Sequence, residues 1–270
     1  MSQISGQRIL ITGASSGIGE TTAKALVDRG HSVFGTSRKP TVQTEGGPRW
    51  LQMDVCDDHS VAAGVASMAD QAGGIDAVIC NAGMSIFGAV EDVSIEDAQR
   101  QFETNFFGVL RVLRCVLPHM RQQASGRILL VGSLAGRAPI PFQAHYSASK
   151  AAVDALSAAL TNEVNPFGIP VVLIEPGDIK TPFNEAMEWT THPSETVYAR
   201  TAQQVEKVVR ESLPVAPPPE AVARVIIRAL ESRRPRSRYT VGAESRLVPF
   251  AKRFLPDRVN LALIRRHFGL

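Results

Sequence analysis

The sequence predicts a doubly wound α/β domain: a parallel sheet of about seven strands flanked by helices, with an amphipathic extension at the C-terminus. Short β-branched apolar runs alternate with longer stretches of helical apolar periodicity along nearly the whole chain. Small and polar residues recur where the strand-like runs end, at Gly13, Asp54 and Asn81, and ligands of such sheets sit beyond the strand carboxyl ends. The chain has 270 residues, 44% hydrophobic and 20% charged, which suits one large domain with a sizeable core.

The first strand reads from Arg8 to Thr12 and runs into Gly13-Ala14-Ser15-Ser16-Gly17-Ile18-Gly19, followed by a helical pattern through Leu26 and Arg29. Strand, glycine turn and helix make a nucleotide-binding opening, in which glycines admit a pyrophosphate and the helix start supplies free N–H groups and a partial positive charge. The spacing is G-x-x-x-G-x-G rather than G-x-G-x-x-G. The second strand, Ser32 to Ser37, ends without the acid that would hold the ribose of NAD, and Arg38 and Lys39 follow. That pair suits a 2′-phosphate, so NADP(H) is expected in preference to NAD(H).

The third strand is expected from Arg49 to Met53, closing on Asp54-Val55, with a helix from His59 to Ala72. The fourth, Ala77 to Cys80, closes on Asn81-Ala82-Gly83. Ile95 to Met120 reads as one helix containing Asn105, a mediocre helix former that is best explained by its hydrogen bonds. Arg127 to Val131 is the fifth strand and places Ser133 at a carboxyl end. The helix from Ala144 to Asn165 opens with Tyr146 and Lys150, one turn apart on one face. A lysine ammonium beside a phenol is expected to lower the phenol pKa, which is acid/base equipment. Small residues on this helix allow close contact within the subunit or across a dimer.

Ile169 to Glu175 is the sixth strand, followed by Pro176-Gly177, Ile179 and Thr181. The stretch 182–219 mixes apolar residues, charges and prolines, and reads as a substrate lid. A helix from Pro218 to Glu231 and a seventh strand from Arg238 to Val241 complete the domain, 1–244. The extension, 245–270, is basic and amphipathic. Packing of its apolar face on its own domain or on a partner subunit is the favoured reading over contact with an anionic membrane surface.

The formal net charge is only +3, and the basic excess lies in the tail, where Glu231, Glu244 and Asp257 are the only acids between Arg224 and Arg266. No nucleic-acid partner is expected. Cys56, Cys80 and Cys115 are too few and scattered for a disulfide framework or a zinc site. No leader pattern and no long uninterrupted apolar window occur, so a cytoplasmic protein without a membrane span is expected.

Thr12 to Gly19, Asn81-Ala82-Gly83, and Asn105, Ser133, Tyr146 and Lys150 in that order resemble the short-chain dehydrogenase/reductase family over nearly the whole chain. Gly132 to Pro141 and Asn165 to Gly168 are similar to its 17-beta-hydroxysteroid and retinol dehydrogenase branch. The resemblance implies a Rossmann fold and hydride transfer between a nicotinamide cofactor and a carbonyl or secondary alcohol of a hydrophobic small molecule. It implies Tyr146 as proton donor, Ser133 as its partner on the substrate oxygen, Lys150 on the ribose, and Asn105 as holder of a water. The cofactor set implied is Gly13, Ser15, Ser16, Gly17, Ile18, Gly19, Ser37, Arg38, Asp54, Val55, Asn81, Ala82, Gly83, Tyr146, Lys150, Pro176, Gly177, Ile179 and Thr181. Leu134, Phe142, His145, Phe183 and Met187 are expected around the substrate, and family habit suggests a homodimer or homotetramer. Two rival readings are an NAD-linked alcohol dehydrogenase and a non-catalytic NADP-sensing protein.

Overall fold

The computed structural model describes residues 6–39, 41–185, 188–192, 194–242 and 247–270. In chain order the first half comprises β1 (Arg8–Ile11), α1 (Gly17–Val27), β2 (Ser32–Ser37), β3 (Arg49–Gln52), α2 (Asp58–Ala72), β4 (Ala77–Cys80), β5 (Ile86–Phe87), α3 (Ile95–Phe102) and α4 (Gly108–Gln122). The second half comprises β6 (Ile128–Val131), α5 (Ala144–Val164), β7 (Val171–Pro176), α6 (Pro182–Glu185), β8 (Glu188–Trp189), α7 (Ala199–Ser212), α8 (Pro219–Glu231), β9 (Arg238–Val241), α9 (Leu247–Phe254) and α10 (Asp257–Phe268).

Seven strands form one sheet in the order β3-β2-β1-β4-β6-β7-β9, every neighbouring pair parallel. The chain walks outward from β1 through β2 to β3, then returns to place β4 on the other side of β1. That reversal opens a crevice at the carboxyl ends of β1 and β4.

The central strands are apolar throughout because both faces of the sheet are covered. Successive residues alternate between two cores. Leu10, Val78, Cys80, Ile128, Leu130 and Leu173 face α2, α4 and α5. Ile9, Ile11, Ile79, Leu129, Val172 and Ile174 face α1 and α8. Helix starts carry their signals: the Asp57 carboxylate accepts from Ser60 N at 2.6 Å before α2, and Ser94 Oγ accepts from Asp97 N at 3.0 Å before α3.

Two regions differ from the sequence expectation. Ile95 to Met120 is not one regular helix, because Glu103–Phe107 is a π-helical turn between α3 and α4. The wider turn carries Asn105 inward, where it is almost completely buried. The 182–219 segment is chiefly helical, and β8 within it pairs in parallel with β5. Thr196 Oγ1 also donates to Asp92 at 2.6 Å, tying this segment to the body of the domain.

Gly19 packs beneath the first turn rather than beside a ligand. A Cβ there would stand 2.2 Å from Gly13 O and 2.6 Å from Asn81 Nδ2. Gly19→Ala is therefore expected to force β1, α1 and the Asn81 loop apart and to destabilise the protein by about 1–3 kcal/mol. Urea unfolding of the variant against wild type measures this.

Candidate active site

Thr12 ties the two halves of the crevice together. Its Oγ1 accepts from Asn81 N at 2.9 Å and from Ala82 N at 3.0 Å. Asn81 Nδ2 in turn donates to Thr12 O at 3.1 Å and Gly13 O at 3.0 Å. Gly13, with φ of 64°, lies against Ala82 so tightly that a Cβ would come within 2.9 Å of its Cα. The Ser16 side chain makes no cap bond to the start of α1, which leaves the first-turn amides available to an anion.

The residues expected to transfer a proton come from two elements. Ser133 follows β6 in extended conformation, and its Oγ accepts from Ala135 N at 3.1 Å. Tyr146 and Lys150 lie on successive turns of α5, with Lys150 Nζ 5.8 Å from the Tyr146 ring centre. The Tyr146 hydroxyl shares a hydrogen bond with Ser133. Lys150 is buried and donates to Val131 O at 3.0 Å, which fastens α5 to the end of β6.

The electrostatics depart from the simple phenol–ammonium expectation. Burial pushes the Tyr146 phenol above its ordinary value, against the Ser133 hydrogen bond, and the nearby Asp178 charge adds to the rise. Burial also lowers Lys150 to about 8. Desolvation outweighs pairing because both groups sit in the wall of the fold. A phenol held above its ordinary value keeps its proton at neutral pH, so the site is set as a proton donor towards an oxygen placed beside Ser133.

Asn105 stands behind this pair. Its Nδ2 donates to Met84 O and to Ser149 Oγ, both at 3.0 Å, while Oδ1 accepts from Met84 N at 2.9 Å. Ser149 Oγ also donates to Tyr146 O at 2.7 Å. Asn105 thus joins the loop after β4 to the first turn of α5. Both amide hydrogens are in use, so a water held by this side chain towards Lys150 would have to donate to it.

One cleft of about 1260 Å³ runs past these groups. Gly13, Ser15, Ser16, Gly17, Ile18, Ser37, Arg38, Asp54, Val55, Asn81, Ala82, Gly83, Pro176, Gly177, Ile179 and Thr181 line it, together with Ser133, Leu134, Tyr146, Lys150 and Phe183. Thr181 closes over the glycine turn, with its Cβ 3.4 Å from where a Cβ of Gly17 would lie.

Three expected contacts fall elsewhere. Gly19 lies behind the wall and does not line the cleft, and Asn105, expected to hold a water and not to touch substrate, lies behind it too. Phe142 has φ of 62° and packs its ring against Trp189 and Tyr198, at 6.4 and 6.3 Å between centres. His145 precedes Tyr146 by one residue, about 100° around the helix, and is likewise absent from the lining. Met187 lies outside the described residues.

Val208 and Leu213, within the 182–219 stretch, line the cleft. Sequence reasoning missed the rest of the outer wall, where Val248, Leu261, Ile264 and Phe268 of the C-terminal helices also line it. The apolar spacing of the extension was the available signal, since Leu261, Ile264 and Phe268 follow i, i+3, i+7.

A family model described as short chain dehydrogenase matches residues 7–191. The chain belongs to the short-chain dehydrogenase/reductase family. It is 38% identical to a 3-ketodihydrosphingosine reductase of Bacteroides thetaiotaomicron, with 98% of each chain covered. It is 32% identical to the Homo sapiens 17-beta-hydroxysteroid dehydrogenase type 1, covering 92% of this chain and 81% of that one. Among solved structures, a short-chain dehydrogenase from Streptomyces avermitilis superposes with a TM-score of 0.80 at 29% identity, covering 96% of this chain and 95% of that one. The chain is thus an oxidoreductase of a family that uses nicotinamide dinucleotides, and the resemblance to the hydroxysteroid branch holds.

Two outcomes follow from the site. Lys150 is charged below about 8 and neutral above it, so carbonyl reduction is expected to fall as pH rises through that value. Lys150→Arg, which keeps its charge, should carry its residual activity to higher pH, as read from the two pH–rate profiles. Tyr146→Phe is expected to abolish turnover while leaving cofactor affinity within a few-fold of wild type, measured by fluorescence titration alongside a steady-state assay.

Proposed function

We propose that this protein is an NADP(H)-dependent oxidoreductase that interconverts a ketone and a secondary alcohol on a hydrophobic molecule, with long-chain 3-keto lipids as the first substrate class. The observation that carries the reading is the continuity of the Ser133–Tyr146 pair with an apolar outer wall built by Phe183, Val208, Leu213, Leu261 and Ile264. Polar groups, among them Ser212, Asn260 and His267, are interspersed along this wall, and burying the apolar part of a substrate against the aliphatic and aromatic side chains supplies the binding energy. A cleft of about 1260 Å³ is larger than the ~300–1,000 Å³ of ordinary ligand pockets, as fits a site shared by a dinucleotide and a lipid.

The residues fit the cofactor. The glycine turn and the uncapped start of α1 suit its pyrophosphate, and Arg38 and Lys39 line the end where a 2′-phosphate would be read. Lys150 retains ammonium hydrogens beyond the one given to Val131 O and can donate them to ribose hydroxyls. When bound, the cofactor supplies or accepts the hydride at the substrate carbon. Ser133 orients the substrate oxygen and stabilises its developing negative charge. Tyr146 gives that oxygen its proton in reduction and takes it back in oxidation.

The Bacteroides relative supports the 3-keto lipid class over rigid steroids through its identity and matching length. A flexible acyl chain also suits a wall made of separate short helices, α7, α9 and α10. The hydroxysteroid reading keeps support from the human relative and differs only in the shape of the apolar group.

A screen of NADPH consumption over long-chain 3-keto lipid bases, steroids, retinoids, aromatic ketones and aldohexoses is expected to favour the long-chain ketones. Preference for an aldohexose would overturn the assignment. Arg38→Asp is expected to move the ratio of kcat/KM for NADPH over NADH by at least about tenfold towards NADH, the equivalent of ~1.4 kcal/mol; an unchanged ratio would show that Arg38 does not read the phosphate.

A further inference from the structure

The C-terminal helices have two apolar aspects. One lines the cleft, through Val248, Ala251, Ile264 and Phe268. The other is open. Along α9 the residues Leu247, Phe250 and Phe254 are 67%, 59% and 62% exposed, at a spacing of i, i+3, i+7 that makes one stripe. The Phe250 and Phe254 ring centres lie 4.8 Å apart with their planes tilted by 43°, and neither lines the cleft. Leu247 of α9 and Leu261 and Leu263 of α10 belong to both aspects, exposed to solvent and bordering the cleft.

The charge around this stripe is predominantly positive. Arg253, Arg258, Arg265 and Arg266 are all exposed on the same two helices, and Asp257 is the sole acid there. The Arg253 guanidinium lies 5.5 Å from the centre of the Phe254 ring, so cation and aromatic group are presented together.

We propose that α9 and α10 dock the protein on the surface of an anionic lipid bilayer, with the cleft mouth facing the lipid. Charge complementarity decides the occupant. A second copy of the chain would bring the same arginines against these across a twofold contact, and like charges brought together in this way are repulsive. An anionic surface attracts each of them by about 1 kcal/mol, while the aromatic stripe enters the interfacial layer. With eight and twelve residues, α9 and α10 lie on a bilayer and do not cross it, and no described helix is long and apolar enough to cross one. The docked orientation lets an apolar substrate pass from lipid to cleft past Leu261 and Leu263 without crossing water. This last step rests on the hydrophobic-substrate reading, whereas docking itself does not.

The test is co-sedimentation of the full chain with phosphatidylcholine vesicles and with vesicles of equal parts phosphatidylcholine and phosphatidylglycerol. Binding only to the anionic vesicles, and weaker as salt rises, is expected. R265Q/R266Q should lower the partition coefficient by about fivefold for each charge removed. F250E/F254E should abolish binding while leaving NADPH affinity and circular dichroism unchanged, since both rings are exposed and outside the cleft. Wild type remaining in the supernatant at low salt would overturn the proposal, as would equal binding by either variant. A dimer in solution that F250E/F254E converts to monomer would overturn it too, by assigning the stripe to a second copy. Vesicle binding is read without turnover, so failure of the substrate screen and failure of docking are separate results.

Discussion

The buried hydrogen bond from Lys150 Nζ to Val131 O sets the geometry on which the site depends. It joins α5, which carries Tyr146, to the end of β6, from which Ser133 extends. An ammonium removed from water needs strong partners, and here the backbone carbonyl at the end of a strand is one of them. The same burial holds the lysine down to about 8 and holds the phenol up. One packing arrangement therefore fixes both the position of the Tyr146 phenol and its state at neutral pH.

The arrangement is possible because the sheet is covered on both faces. Strands β1, β4, β6 and β7 present alternate residues to two separate cores, so their carboxyl ends are held in register at one edge of the molecule. Onto that edge the chain hangs polar links that are not apolar packing at all: Thr12 with Asn81 and Ala82, and Asn105 with Met84 and Ser149. The π-helical turn at Glu103–Phe107 serves the second link, because a regular helix through that stretch would place Asn105 at a different angle about the axis.

Much of this was legible in the residues. All seven strands of the main sheet lie where the sequence indicated them; the inner ones carry the apolar signature of buried parallel strands, whereas the edge strands β3 and β9 are only partly buried. Spacing put Tyr146 and Lys150 on one helix face and a strand end put Ser133 near them, and the family resemblance supplied their expected roles. The two-residue strands β5 and β8 could not be seen, because two residues carry no period. Phe142 looked like a substrate contact for being apolar in a loop, but its positive φ sends it into an aromatic group with Trp189 and Tyr198. The sign of the Tyr146 shift was missed for a related reason: sequence shows the neighbouring charge but not the depth of burial that outweighs it.

What the sequence determined by itself is local and periodic: the strand and helix order, the glycine turn, the basic pair after β2, and the order of the proton-transfer residues. Each of these depends on neighbours within a few positions or on a repeat along one element. The tertiary structure alone decided that α9 and α10 wall the cleft, that Asn105 bonds Met84 and Ser149, and that Gly19 supports the turn from beneath. Those facts bring segments at the two ends of the 270-residue chain to one cleft, which both Gly13 and Phe268 line. No period or spacing carries such information, because it arises only when the sheet has brought the ends of distant strands together.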